Sequence, residues 1–411
     1  MSEVLQFFLA LGLMIAFAKI MGYFSIRLGQ SAVLGELVAG VILGPSILNL
    51  LNVHSLFANG ESVEHTLIEV AEVGVLFLMF MAGIEIDIQS MLRVARTALL
   101  AGSLGVVAPL ILISVLGVGF GYSLEASLFL GLVLGATSVS ISAQVMLEMD
   151  VIESREGLAL LGAAVADDVL VILLISLYLA INPGGVVEHI DSRPIWEVFL
   201  RMAAFLSIGT LVAWYALPYL AALFEDLPIS EGGVTIAVVS ALLMGFIAEY
   251  FGGVAAITGA FIAGVALGRT RSDVLDHIRY GFHSINYGLL VPIFFVSIGL
   301  QTNLRLLGAD IIPFAVLLAI FAVLSKVIGA GLGSKLSGFN QQSALRVGVG
   351  MISRGEVGLI VATIGISSGI LRQDVFAAVV FVVLLTTLVT PPLVRWSFAE
   401  KMAAPQAAGA D

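Results

Sequence analysis

Long uninterrupted apolar runs, each about the length of a bilayer-crossing helix, dominate the chain. A hydrocarbon core about 30 Å thick takes roughly 20 helical residues. Runs of that kind fall at about 3–25, 31–51, 66–88, 94–120, 125–148, 156–181, 196–224, 231–250, 254–269, 277–301, 308–336, 342–369 and 374–398. They predict an all-α polytopic membrane protein of about thirteen spans. Outer-membrane barrels need alternating segments of about ten residues, which these continuous runs exclude. The first run opens on Glu3 instead of a basic stretch and outlasts the apolar core of a secretion signal, so it is read as a helix of the mature protein.

Composition agrees. Of 411 residues 60% are apolar and 11% are Asp, Glu, Lys or Arg, against about 25% charged in soluble domains. Mean hydropathy is +1.11. Eighteen basic and 29 acidic residues leave a net charge of −11 with no basic cluster, which argues against a nucleic-acid partner. With no cysteine, disulfides, thiolate zinc sites and cysteine nucleophiles are excluded.

Basic residues set the expected orientation. With the N-terminus outside, inner loops and the C-terminal tail hold Arg27, Arg93, Arg96, Arg155, Arg269, Arg271, Arg279, Lys335, Arg346, Arg395 and Lys401, while outer loops hold Arg193, Arg305 and Arg372, with Arg201 near a span start. The C-terminus is then cytoplasmic.

An internal repeat is visible. Gly35-Glu-Leu-Val-Ala-Gly-Val-Ile-Leu-Gly44 matches Gly259-Ala-Phe-Ile-Ala-Gly-Val-Ala-Leu-Gly268 at six of ten positions, and Gly83-Ile-Glu-Ile-Asp87 parallels Gly299-Leu-Gln-Thr-Asn303. These pairs lie seven spans apart, so the two copies run in opposite directions across the membrane. Inverted six-helix repeats are the architecture of many secondary transporters, with the site near the midplane between them.

Charges inside spans point to that site, because each costs at least ~2.5–3.5 kcal/mol on insertion scales. Asp167 and Asp168 lie mid-span in Gly162-Ala-Ala-Val-Ala-Asp-Asp-Val169. Successive helical residues diverge by about 100°, so the two carboxylates serve different partners, one lining a cavity and the other taking a cation. Lys326 is deep in the eleventh span and needs a carboxylate, either Asp167 or Asp168. Arg354 and Glu356, within the glycine-rich stretch 348–358, read as structural charges holding a broken helix together. The fifth span carries Gly135-Ala-Thr-Ser-Val-Ser-Ile-Ser142, hydroxyls suited to a hard cation. Lys19 is expected to snorkel toward an interface. Glu36, Glu72 and Glu85 are expected to cap span ends, and the five histidines to be solvated, without metal-ligand spacing.

Together, Gly35-Glu36 through Gly44-Pro45, Ala136-Thr137-Ser138, Ala166-Asp167-Asp168, Ser325-Lys326-Val327 and Arg354-Gly355-Glu356-Val357-Gly358 resemble the bacterial cation:proton antiporter superfamily over essentially the whole chain. The likeness is to the branch of NapA-type sodium/proton antiporters, related to the membrane part of glutathione-gated potassium efflux systems. The resemblance implies an NhaA/NapA-like fold with broken, crossing fifth and twelfth spans. It divides the chain into a dimerisation domain (1–93 and 231–305), a moving core (94–181 and 306–399), a bridging helix (182–230) and a short tail (400–411). It further implies a homodimer in the cell membrane. Asp168 matches the ion-binding aspartate, which holds a proton or a monovalent cation in turn. Asp167 matches the partner of Lys326, and Thr137 and Ser138 match the unwound stretch beside the ion. The efflux systems usually carry a polar amide where Asp167 stands and have a nucleotide-binding domain, neither of which this sequence has. The expected activity is electrogenic exchange of protons for Na+ or Li+ without a cofactor, with K+/H+ exchange on the same scaffold as the alternative. A channel or sensor without coupled exchange is a rival class. An intramembrane hydrolase would need a Ser/His pair or zinc cluster within the spans, and the sequence offers none.

Overall fold

A computed structural model describes residues 2–53, 56–86, 88–181, 194–228, 230–301, 305, 307–367 and 369–407. His54, Asp87, His189, Arg193, Asn303 and residues 182–193 of the expected bridging helix lie outside them. In chain order the helices are α1 (Glu3–Arg27), α2 (Ala32–Leu43), α3 (Gly60–Ile84), α4 (Ile88–Arg93), α5 (Ala95–Gly119), α6 (Leu124–Val133), α7 (Val139–Glu148), α8 (Arg155–Ile181), α9 (Ile195–Ala204), α10 (Thr210–Glu225), α11 (Gly232–Phe246), α12 (Ala256–Leu267), α13 (Ser272–Ile285), α14 (Val291–Leu300), α15 (Ile312–Leu336), α16 (Gln341–Gly350), α17 (Glu356–Ser367) and α18 (Gln373–Ala407). The described residues are helical or irregular, with no strand among them.

Each expected span has a counterpart, although several differ in length. Among the described residues nine helical segments are long and apolar enough to cross a bilayer. The second span is only the twelve residues of α2 instead of 31–51. Pro45 cannot continue the helix, and the apolar residues beyond it form turns and a short 3-10 segment, Leu50–Asn52. The third span is shifted back to Gly60–Ile84, because polar Gly60–Glu64 form its first turn while Glu85 and Ile86 lie beyond its end. The tenth begins five residues early, at Ser272, as a charged amphipathic helix. Continuous helix in the seventh and tenth spans passes through π-helical turns at Phe205–Gly209 and Asn286–Leu290, and the helix of the eighth ends in one at Ile247–Gly252. Large apolar side chains stay exposed on α1 (Leu5, Phe8, Ile20), α10 (Leu211, Val212) and α15 (Leu324, Leu332), the outward face of helices solvated by hydrocarbon.

The chain divides into two compact units: Met1–Met21, Glu36–Leu92 and Asp191–Gln301 form the first, and Gly22–Gly35, Arg93–Ile190 and Thr302–Asp411 the second.

In the first unit the repeat is built into the packing. α2 and α12 are both twelve residues long, and both start 224 residues apart, as their glycine motifs do. A Cβ at Gly40 would lie 2.2 Å from the Val296 carbonyl oxygen, and one at Gly264 would lie 2.1 Å from that of Phe80. Thus α2 lies against α14 at the same motif position at which α12 lies against α3, and glycine alone permits either approach. Two expectations change here. Lys19 donates to Glu36 at 3.1 Å, and Glu36 is buried at 3% exposure instead of capping an interface. His277 is held between Glu225 at 2.8 Å and Glu231 at 2.9 Å. Because the second carboxyl oxygen of Glu225 accepts the Gly233 amide at 3.0 Å, this histidine ties the end of α10 to the starts of α11 and α13. Glu85 pairs with Arg279 at 3.4 Å.

The second unit is organised as two matching runs, each a long helix, a broken pair and another long helix: α5, α6/α7, α8 and α15, α16/α17, α18. Its cytoplasm-expected end holds a buried ion pair, Arg346 with Glu156 at 3.1 Å, which Ser343 joins through its hydroxyl at 2.8 Å.

Candidate functional site

Both breaks fall where the residues favour one. The first, Leu134–Ser138, follows the last turn of α6, in which the Gly135 amide bonds to the Leu132 carbonyl at 3.0 Å. The second, Met351–Gly355, separates α16 from α17. Backbone freed from helix must find partners when buried, and the two stretches supply them to each other. The Ser138 amide donates to the Ser353 carbonyl at 3.0 Å, while the Ser353 hydroxyl donates back to the Ser138 carbonyl. The Ser142 hydroxyl donates to the Gly350 carbonyl at 2.6 Å.

Each break also leaves a helix C-terminus with unpaired carbonyls and partial negative charge, and a buried cation meets each one. Lys326, with no exposed surface, donates to the Gly135 carbonyl at 2.6 Å. Arg354, equally buried, donates to the carbonyls of Ile352 at 2.6 Å and Met351 at 3.3 Å, and to Ala322 of α15 at 2.9 Å. Helix α18 adds two more bonds: Thr387 donates to the Arg354 carbonyl at 2.9 Å, and the Arg354 amide donates to the Thr386 hydroxyl oxygen at 3.3 Å.

The two aspartates of α8 separate as expected from their angular offset. Asp167 is fully buried, and its Oδ2 accepts Lys326 Nζ at 2.7 Å and the Thr137 hydroxyl. Its Oδ1 is buried without a hydrogen-bond donor among the described residues. Asp168 keeps 5% exposure. Lys326 also feels the charges of Arg354 and Asp168. The site therefore gathers two basic side chains and two carboxyl groups around two broken helices. Breaking a buried pair of this kind costs about 3–5 kcal/mol, because the survivor is left uncompensated.

These geometries resolve the choice left open for Lys326 in favour of Asp167. Thr137 and Ser138 both lie in the first break, but the Ser138 hydroxyl is 3.1 Å from that of Ser140. Arg354 lies at the second break, and Glu356 is the first residue of α17; its side chain lies outside the described residues.

Residues 12–399 match the family model for the transmembrane sodium/hydrogen exchanger. The chain belongs to the sodium/hydrogen exchanger family. Among relatives of this exchanger, the Na(+)/H(+)-K(+) antiporter GerN of Bacillus cereus is 38% identical, the match covering 96% of this chain and 97% of GerN. A Na(+)/H(+) antiporter of Enterococcus hirae is 33% identical, covering 97% and 99%. In fold, the exchanger is similar to the sodium proton antiporter MjNhaP1 of Methanocaldococcus jannaschii, with a TM-score of 0.75, full coverage of both chains and 17% identity.

Contributors to the candidate site that the sequence reading did not single out include the Ala322 carbonyl, Ser353, Thr386 and Thr387. Ser353 had a signal, being the hydroxyl residue next to Arg354 in the glycine-rich stretch. The threonines had none beyond being hydroxyls in an apolar helix, where bonding back to the helix's own carbonyls is the ordinary outcome.

Proposed function

We propose that this chain is a secondary antiporter exchanging protons for Na+ or Li+ by alternating access, with Asp168 binding proton and cation in turn. The observation that carries this reading is the ion pair of Lys326 with Asp167, fully buried one residue from Asp168. Before the cation enters, Asp168 carries a proton. The cation takes the proton's place on that carboxylate and the proton leaves, so the local charge stays unchanged in a medium that tolerates little of it. Competition then follows from charge balance. The hydroxyl of Thr137 and the carbonyls of the first break are hard oxygen donors, suited to a small monovalent ion.

The entering cation weakens the hold of Asp167 on Lys326, and the lysine then gives up a second proton. Two protons for one monovalent cation move one net charge, which draws about 2.3 kcal/mol from each 100 mV of membrane potential. The core (94–181 and 306–399) moves against a dimerisation domain (1–93 and 231–305) joined by the bridging segment 182–230, in a homodimer within the cell membrane. The N-terminus faces outward and the C-terminus the cytoplasm, in keeping with the inner excess of arginine and lysine.

K+/H+ exchange is the second reading, favoured by the name of GerN, a Na(+)/H(+)-K(+) antiporter. The test is a panel of Na+, Li+ and K+ gradients imposed on purified protein in liposomes with an internal pH probe. Proton flux driven by Na+ or Li+ and lost in Asp168→Asn is expected. Flux with K+ alone selects the second reading, and cation flux without proton movement overturns both.

A further inference from the structure

We propose that Ser353 is a specificity-determining positioning residue for the cation, acting through the carbonyl of Ser138; this rests on the antiport reading above. A broken helix offers its freed carbonyls as ligands, and which of them remain available decides the size of ion that fits. In the first break two are withdrawn. Lys326 holds the carbonyl of Gly135, and the Ser353 hydroxyl holds that of Ser138.

Ser353 belongs to the second repeat, 215 residues away, and nothing in its own backbone needs the Ser138 carbonyl. The exchange is reciprocal, since the Ser138 amide bonds to the Ser353 carbonyl at 3.0 Å. A third constraint comes from Gly355, where a Cβ would stand 2.6 Å from the Cβ and hydroxyl of Ser138. Ser138 is thus gripped by the second break on its amide, its carbonyl and its side-chain flank. Both serines are buried, at 4% and 0% exposure, so water is a poor substitute for the lost donor. Of the three grips, only the hydroxyl bond can be removed without touching the backbone.

Removing that hydroxyl returns an oxygen lone pair to the first break and lets the break widen. More oxygen donors in a looser cavity favour the larger, more easily dehydrated ion, so discrimination between Na+ and K+ falls.

The experiment measures the KM for Na+ and for K+ in proteoliposomes of the wild type, Ser353→Ala and Ser353→Thr. In Ser353→Ala the ratio of the two KM values shifts toward K+ by about fivefold, the factor belonging to one hydrogen bond. Ser353→Thr, which keeps the donor, restores the wild-type ratio. An unchanged ratio in Ser353→Ala, equal changes for both ions, or failure of threonine to restore it overturns the assignment. If the alanine variant does not fold, Ser353→Cys, a weaker donor, takes its place: a smaller shift in the same direction supports the assignment, and a wild-type ratio overturns it. Wild-type liposomes without cation-coupled proton flux sink the antiport reading instead, whereas wild-type exchange with an unshifted Ser353→Ala ratio sinks this inference alone.

Discussion

The Lys326 ammonium lies 2.6 Å from the Gly135 carbonyl oxygen, so the charge that balances Asp167 also caps the C-terminus of α6. One side chain thereby links the fold of the first break to its electrostatics. Arg354 repeats the arrangement at the end of α16 through Ile352 and Met351. In each repeat a cation compensates a half-helix dipole that water cannot reach.

Lys326→Ala removes both services. It is expected to lower stability by about 3–5 kcal/mol, the cost of stranding a buried carboxylate. Exchange surviving in this variant becomes electroneutral. Thermal unfolding in detergent and the dependence of exchange on an imposed potential check the two halves separately. Unchanged voltage dependence contradicts the two-proton scheme.

Asp167→Asn with Lys326→Gln is expected to be more stable than either single variant adds up to. Each single change leaves one buried charge without its counter-ion, whereas the pair leaves none. A coupling of at least about 1 kcal/mol in the four-way cycle is the expected outcome, measured by unfolding temperature.

Gly40→Val and Gly264→Val are expected to destabilise by about 1–3 kcal/mol or more, because each side chain overlaps a backbone carbonyl. Gly12→Ala meets no atom within 4 Å and serves as the control. Retention on size-exclusion chromatography after a heating series reads the difference. Comparable losses at the two valine sites check that the repeats pack alike.

His277 faces a carboxylate at each ring nitrogen and so ties α10, α11 and α13 together. His277→Ala is expected to lower stability, and with Glu231 65% exposed the loss is about 1 kcal/mol or less. Unfolding temperature in detergent checks it, and Glu231→Gln is expected to cost less, because His277 keeps its bond to Glu225.

Much of this architecture is legible in the linear chain. Apolar run length alone places the helices to within several residues, since a bilayer demands a minimum of apolar helix and rejects stray charge. The intramembrane charges Asp167, Asp168, Lys326 and Arg354 stand out for the same reason, and the glycine motifs of α2 and α12 announce a repeat that the packing of Gly40 and Gly264 realises. Local patterning failed where partners are remote. Glu36 read as an interfacial cap because its partner, Lys19, sits 17 residues away on another helix. His277 read as a solvated loop residue because Glu225 lies 52 residues away.

Apolar run length and composition thus determined the membrane-spanning helical class and which charges would need partners. The glycine-rich stretch around Arg354 pointed to one break, and the break in the fifth span came only from the family resemblance. Tertiary structure decided that Lys326 takes Asp167, 159 residues distant, that the breaks bond to one another through Ser138 and Ser353, and that α18 threonines complete the second break. A span is chosen by its solvent, which every residue in it meets alike. A hydrogen bond is chosen by tenths of an ångström between groups that only the packing of distant helices brings together.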